Sequence, residues 1–141
     1  MNDEMTAMLL RLKENLKTQD NRITSLPMFV VQSKRRIYGM DTQWADDADV
    51  VWTNGDGGEC DKEEAAALEK KYQETGEDFF DPCQRTAFID VWEMATVCFT
   101  QAGAEAYIAA NGHNLHEPRI YVESGYRNAE WELVRNHLMN L

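Results

Sequence analysis

Cys60, Cys83 and Cys98 are the three thiols of this 141-residue sequence, and His113 and His116 stand three residues apart. Brought together they would suit zinc, which takes nitrogen and sulfur ligands in a tetrahedron. Structural zinc sites are usually written as paired ligands a few residues apart, however, and these are scattered singles. The cysteines include no CxxC pair and are odd in number, so they read as reduced thiols rather than a disulfide framework. Calcium is the second chemistry to weigh. Asn54, Asp56, Gly57 and Glu63 fall at the third, fifth, sixth and twelfth positions of a calcium loop. The first position would be Trp52, which has no side-chain oxygen to offer, and a strand rather than a helix precedes it. Asn54-Gly55-Asp56-Gly57-Gly58 is therefore read as a hairpin turn, since Asn and Gly tolerate positive φ. No metal and no cofactor is expected.

Covalent catalysis has little to work with, because there is no GxSxG, P-loop or glycine-rich dinucleotide turn. Cys98 and His113 have the types of a nucleophile and its base, but Cys98 lies in the most apolar run and reads as a buried structural thiol. Asp90 and Glu93 interrupt that same run. A carboxylate on a buried strand must be paired or have a raised pKa. Two together would serve acid–base chemistry, yet residues three apart on a strand point to opposite faces. The expectation is that one pairs with an arginine such as Arg119 and the other sits at a sheet edge. The densest polar and aromatic grouping follows: His113, Arg119, Tyr121, Tyr126 and Arg127. Arg and Tyr are common at binding hot spots, and the same residues also make ordinary internal architecture.

These residues must be held by elements that the hydrophobic pattern outlines. Met5, Met8, Leu9, Leu12 and Leu16 recur at helical spacing, with Asn2 or Asp3 to cap the helix. The β-branched and aromatic stretch from Met28 to Met40 reads as a strand, and Asp49–Thr53 as a second. Asp61 and Glu64 have the spacing of a capping box for a helix whose face is Ala65, Leu68 and Tyr72, with Gly76 at its end. GEDFFDPC reads as a loop, and TAFIDVWEMATVCFT as a central strand buried on both faces. Thr100 caps a helix running to about Asn111, RIYVES is a strand, and Asn128 opens a last helix striped by Trp131, Val134, Leu138 and Leu141. Arg135 and His137 fall in its later turns, where cations suit the helix dipole. The order is α-β-β-α-β-α-β-α. This predicts an α+β fold, a small mostly antiparallel sheet with helices packed on it. One domain, residues 1–141, is expected, with an acidic excursion at about 41–82.

The net charge of −11 is unevenly placed. Between Asp41 and Asp81 there are 14 acidic residues against three lysines, and the remaining chain is neutral. Asp46, Asp47, Asp49, Asp56, Glu59, Glu63 and Glu64 lie in this segment. Phosphate contacts need Lys and Arg, so direct nucleic-acid binding over this face is not expected. No run approaches the length of a membrane span, and the charged N-terminal stretch is unlike a secretory signal, so a cytoplasmic location is expected. The apolar stripe of the first helix also leaves self-association open.

The residues Asp90-Val-Trp-Glu, Cys98-Phe-Thr, Gly112-His-Asn, Pro118-Arg-Ile-Tyr and Tyr126-Arg-Asn-Ala-Glu-Trp, with Arg36-Ile-Tyr-Gly upstream, carry a resemblance. Over about half the chain the sequence resembles small accessory proteins of tailed bacteriophages and prophages. The resemblance implies expression in a host cytoplasm and supplies no catalytic residues. In that setting the charge suggests an inhibitor acting by protein binding. It would present carboxylates to a basic nucleic-acid-binding surface of a host or defence protein, in the way of a DNA-mimicking anti-CRISPR. Two other readings stand beside it. One is an accessory protein whose acidic loop is only solvated surface. The other is a small enzyme or ligand-binding domain using Asp90, Glu93, His113, Arg119 and Tyr126.

Overall fold

Helix α1 (Asp3–Thr18) begins where the Asn2 side chain accepts the Met5 N–H. That bond is the first turn of the computed structural model, which describes residues 2–141. Strand β1 (Pro27–Met40) follows, then two short 3-10 turns and β2 (Val50–Thr53). Helix α2 (Lys62–Thr75) leads through the two-residue β3 (Phe79–Phe80) into the long β4 (Cys83–Cys98). Helix α3 (Gln101–Asn111), β5 (Arg119–Ser124) and α4 (Ala129–Met139) complete the chain. The strand order is β2-β4-β1-β5, with β3 hairpinned onto β4. β1 with β5 and β2 with β4 are antiparallel, and the architecture is α+β.

The chain forms two compact units. One comprises residues up to Lys34 together with Trp92–Leu141, and the other is Arg35–Val91. The long strands β1 and β4 are each divided between them. In the first unit Phe29, Val31 and Ala104 are fully buried, with Tyr107, Ile108, Ile120 and Val122 packed on them. Each such large apolar side chain contributes about 1.5–3 kcal/mol when removed from water. In the second unit Trp52, Leu68 and Cys83 form the core, flanked by Cys60, Ala65, Tyr72 and Phe80. The expected face of α2 is the one that packs there.

The helix ends follow their local chemistry. Asp61 accepts the Glu64 N–H, Thr100 the Gly103 N–H and Asn128 the Trp131 N–H. Gly76 ends α2 at φ 75°, a conformation that costs glycine little. Gly112 behaves differently. It stays right-handed and carries α3 into a 3-10 turn over Gly112–Asn114.

Three expectations are corrected. GEDFFDPC contains β3, because Phe79 and Phe80 pair with Gln84 and Cys83. β4 lies between two other strands but is not buried on both faces, as Ile89, Trp92 and Met94 are exposed. In α4 the buried residues are Arg135 and Leu138, while Val134 is exposed. Arg135 therefore belongs to the inner face and not to the charged outer one.

Candidate functional site

The hairpin turn after β2 is held by a single side chain. Asn54 Oδ1 accepts the N–H groups of Asp56 and Gly58, and Gly55 and Gly57 take positive φ. Thr53 then bridges to Glu59. This geometry uses the Asn54 oxygen that a calcium loop would have needed. It leaves Asp56 exposed at the turn and places Glu59 back beside the sheet.

Glu59 and Asp90 share one cation. Arg36 donates to Asp90 through Nε at 2.9 Å and Nη2 at 3.2 Å, and to Glu59 through Nη1 at 3.2 Å. Its guanidinium stacks on the Phe88 ring at 3.6 Å. Asp90 thus pairs with an arginine, as expected, and that arginine is Arg36 rather than the Arg119 given as the example. Tyr38 donates its hydroxyl to the same Glu59 at 2.7 Å. Burial, together with that bonded carboxylate, raises the Tyr38 pKa.

A second ion pair lines a cleft of about 560 Å³. Arg85 grips Glu69 through Nε at 3.0 Å and Nη2 at 3.2 Å, and Trp52 Nε1 donates to the same carboxylate at 2.8 Å. Asp47, Glu59 and Cys60 also line this cleft. Asp46 and Asp49 line a different hollow beside Trp44 and Phe88. Glu63 and Glu64 stand in the first turn of α2, where the helix dipole favours anions.

While Glu93 falls in the other unit, the acidic residues named from the 41–82 segment thus lie in one, Arg35–Val91. This unit holds 15 acidic residues against six basic ones, a net charge of −9. Asp46, Asp47, Asp49, Asp56, Glu63 and Glu64 are exposed, and none makes an ion pair among the described residues.

His113, Arg119, Tyr121, Tyr126 and Arg127 fall in the other unit and are all exposed. They divide into three places. Arg119 lies over the Trp92 ring at 3.9 Å, 5.6 Å from the Tyr121 ring, and donates to Gln32 at 2.7 Å. Lys34 approaches the same indole at 5.8 Å and bonds Glu117. Tyr126 and Arg127 face each other at 5.3 Å, with Arg127 at φ 67°. His113 bonds Asn114 within its 3-10 turn. The Arg119–Trp92 stack was not legible, because nothing local in the sequence sets β5 beside β1 on the side away from β4, within reach of Trp92.

The thiols also divide. Cys98 packs half-buried on the apolar core of its unit, short of the full burial its apolar run suggested, and that burial raises its pKa. Cys60 and Cys83 instead lie with their sulfurs 3.7 Å apart, and Cys83 donates to Glu64 Oε1 at 3.4 Å. Half of the capping box is therefore realised. Asp61 accepts the Glu64 N–H, but the Glu64 side chain turns to Cys83.

Comparison with models of known protein families, with curated proteins and with solved structures finds no match. Among the described residues no helix is long and apolar enough to cross a membrane.

Proposed function

We propose that this chain acts by protein binding, as a phage-encoded acidic inhibitor whose carboxylates occupy a basic nucleic-acid-binding surface of a host protein. The observation that carries this reading is the net charge of −9 on the Arg35–Val91 unit. The carboxylates that neighbouring cations absorb are Glu59, Glu69 and Asp90. Asp46, Asp47, Asp49, Asp56 and Glu63 remain in solvent, where their field attracts a partner lined with Lys and Arg. Such attraction speeds encounter and is weakened by salt.

The catalytic alternative has less support. Asp90 is committed to Arg36 and Arg119 to Trp92 and Gln32, while His113 and Tyr126 are exposed. The test is affinity capture from bacterial lysate by two baits, the intact protein and a variant with Asp46, Asp47, Asp49, Asp56 and Glu63 changed to their amides. The expected outcome is a nucleic-acid-binding protein held by the intact bait, lost from the amide bait and released by raised salt. Equal retention of that protein by both baits would contradict the proposal and point to the Arg119–Trp92–Tyr121 surface.

A further inference from the structure

Cys60, Glu64 and Cys83 present two sulfurs and a carboxylate oxygen that all lie within 4.8 Å of one another. They come from three places in the fold. Cys60 ends the hairpin excursion just before the Asp61 cap, Glu64 stands in the first turn of α2, and Cys83 opens β4. Backbone bonding fixes two of these places. The Cys60 N–H donates to Trp52 O at 2.9 Å, and Cys83 pairs with Phe80 across the β3–β4 hairpin.

The spacing fits a metal centre. Two sulfurs at the ~2.3 Å bond length of tetrahedral zinc stand about 3.8 Å apart, and a sulfur and a carboxylate oxygen about 3.5 Å. The corresponding separations are 3.7 Å for Cys60 Sγ–Cys83 Sγ and 3.4 Å for Cys83 Sγ–Glu64 Oε1. Glu64 is exposed, so rotation of its side chain can adjust the remaining edge of the triangle. The surroundings fit as well. Cys83 is buried beside Trp52 and Leu68, and Cys60 is half-buried against the same cluster, so one side of the centre is dry. The other side opens toward solvent at Glu64, which leaves a fourth position for water or a donor from a partner.

We propose that Cys60, Cys83 and Glu64 form a binding site for a thiophilic divalent cation of the zinc type, with an open fourth position. On binding, both thiols release their protons to solvent, and two thiolates and a carboxylate surround the ion. The ion ties the N-terminus of α2 to the start of β4, closing the segment between Cys60 and Cys83 that carries α2 and β3. This inference stands independently of the protein-binding proposal, because Glu64 is left unchanged in the amide bait.

The test uses the full chain, purified under reductant and stripped with a chelator, titrated with zinc and with cobalt(II). One ion per chain is expected. Cobalt should give the thiolate charge-transfer band and the visible bands of a tetrahedral centre, and zinc should raise the thermal unfolding midpoint. Cys60→Ser and Glu64→Gln, both away from full burial, should each weaken zinc by at least about tenfold, a scale on which even outer-shell partners act. Cys98→Ser should leave it unchanged. Absence of binding by the folded chain, or binding that neither Cys60→Ser nor Glu64→Gln alters, would overturn the site. So would a Cys60–Cys83 disulfide in protein purified without reductant, together with no zinc uptake by the reduced form.

Discussion

Glu69 shows how one side chain can organise a small core. Its carboxylate accepts from Trp52 Nε1 and from two nitrogens of Arg85, while Gln73 donates from the next turn. Trp52 is only 3% exposed, and Glu69 is the acceptor its indole N–H has in the folded chain. Glu69→Ala should therefore cost about 1–3 kcal/mol at neutral pH, read as a lower urea midpoint. Burial alone would raise the Glu69 pKa, but the bonds from Arg85 and Trp52 outweigh it and hold the carboxylate below its ordinary value. A depressed native pKa means that the unfolded chain takes up the proton first. The contribution is complete above the unfolded pKa of about 4.3 and fades as pH falls through the native one. The gap between wild type and Glu69→Ala should accordingly shrink on acidification, and a gap that widened would contradict this account. Cys83 moves the other way: burial, then the neighbouring Cys60 and Glu64, push its thiol up to about 11. Apart from the Gln73–Glu69 bond within α2, none of these partnerships was legible in the sequence, because each joins residues on different elements.

At the scale of elements, what was legible is what is local. Asn2, Asp61, Thr100, Asn128 and Gly76 each stand at the helix end their chemistry suggests, since a cap depends on a few neighbouring residues. The Asn54–Gly58 turn was legible for the same reason. The burial of β4 was not, because a run of apolar residues states only that a strand is apolar. Whether both faces are covered depends on where the helices pack, and Trp92 and Met94 remain exposed. Arg135 misled similarly, as helical position alone does not tell a dipole-facing cation from one drawn inside. Gly125 marks a tight junction between the β5 turn and α4. A Cβ there would stand 2.8 Å from the Trp131 ring and 3.1 Å from Leu26 O. The Gly125 N–H also donates to Leu26 O at 2.6 Å, and Trp131 stacks on Phe99 at 3.9 Å. Gly125→Ala should destabilise by about 1–3 kcal/mol, as overpacking does, read as a lower thermal midpoint. A neutral result would mean that this junction yields freely.

For the molecule as a whole, the α+β class followed from the alternation of helical and strand periods, and the element order, β3 apart, from the caps and turns between them. The acidic excursion was legible as a charge count. The sequence did not show how that charge is partitioned: Glu59, Glu69 and Asp90 bind arginines, while Asp46, Asp47, Asp49, Asp56 and Glu63 face water. This partition separates carboxylates that build the unit from carboxylates available to a partner. It also makes the amide variant informative, since the changed residues support no ion pair and their loss should leave the fold intact. Candidate site residues were legible by type, whereas their grouping required the fold. Cys60 and Cys83 are brought together by the β3–β4 hairpin and the Trp52 backbone, with no spacing in the chain to announce it.

Competition between this protein and duplex DNA for a basic partner captured on the intact bait separates charge mimicry from every other mode of binding. The account predicts that DNA releases the partner at low salt, and that the amide variant fails to compete with DNA for it. Simultaneous binding of DNA and the intact protein to the same partner would contradict the proposed mimicry.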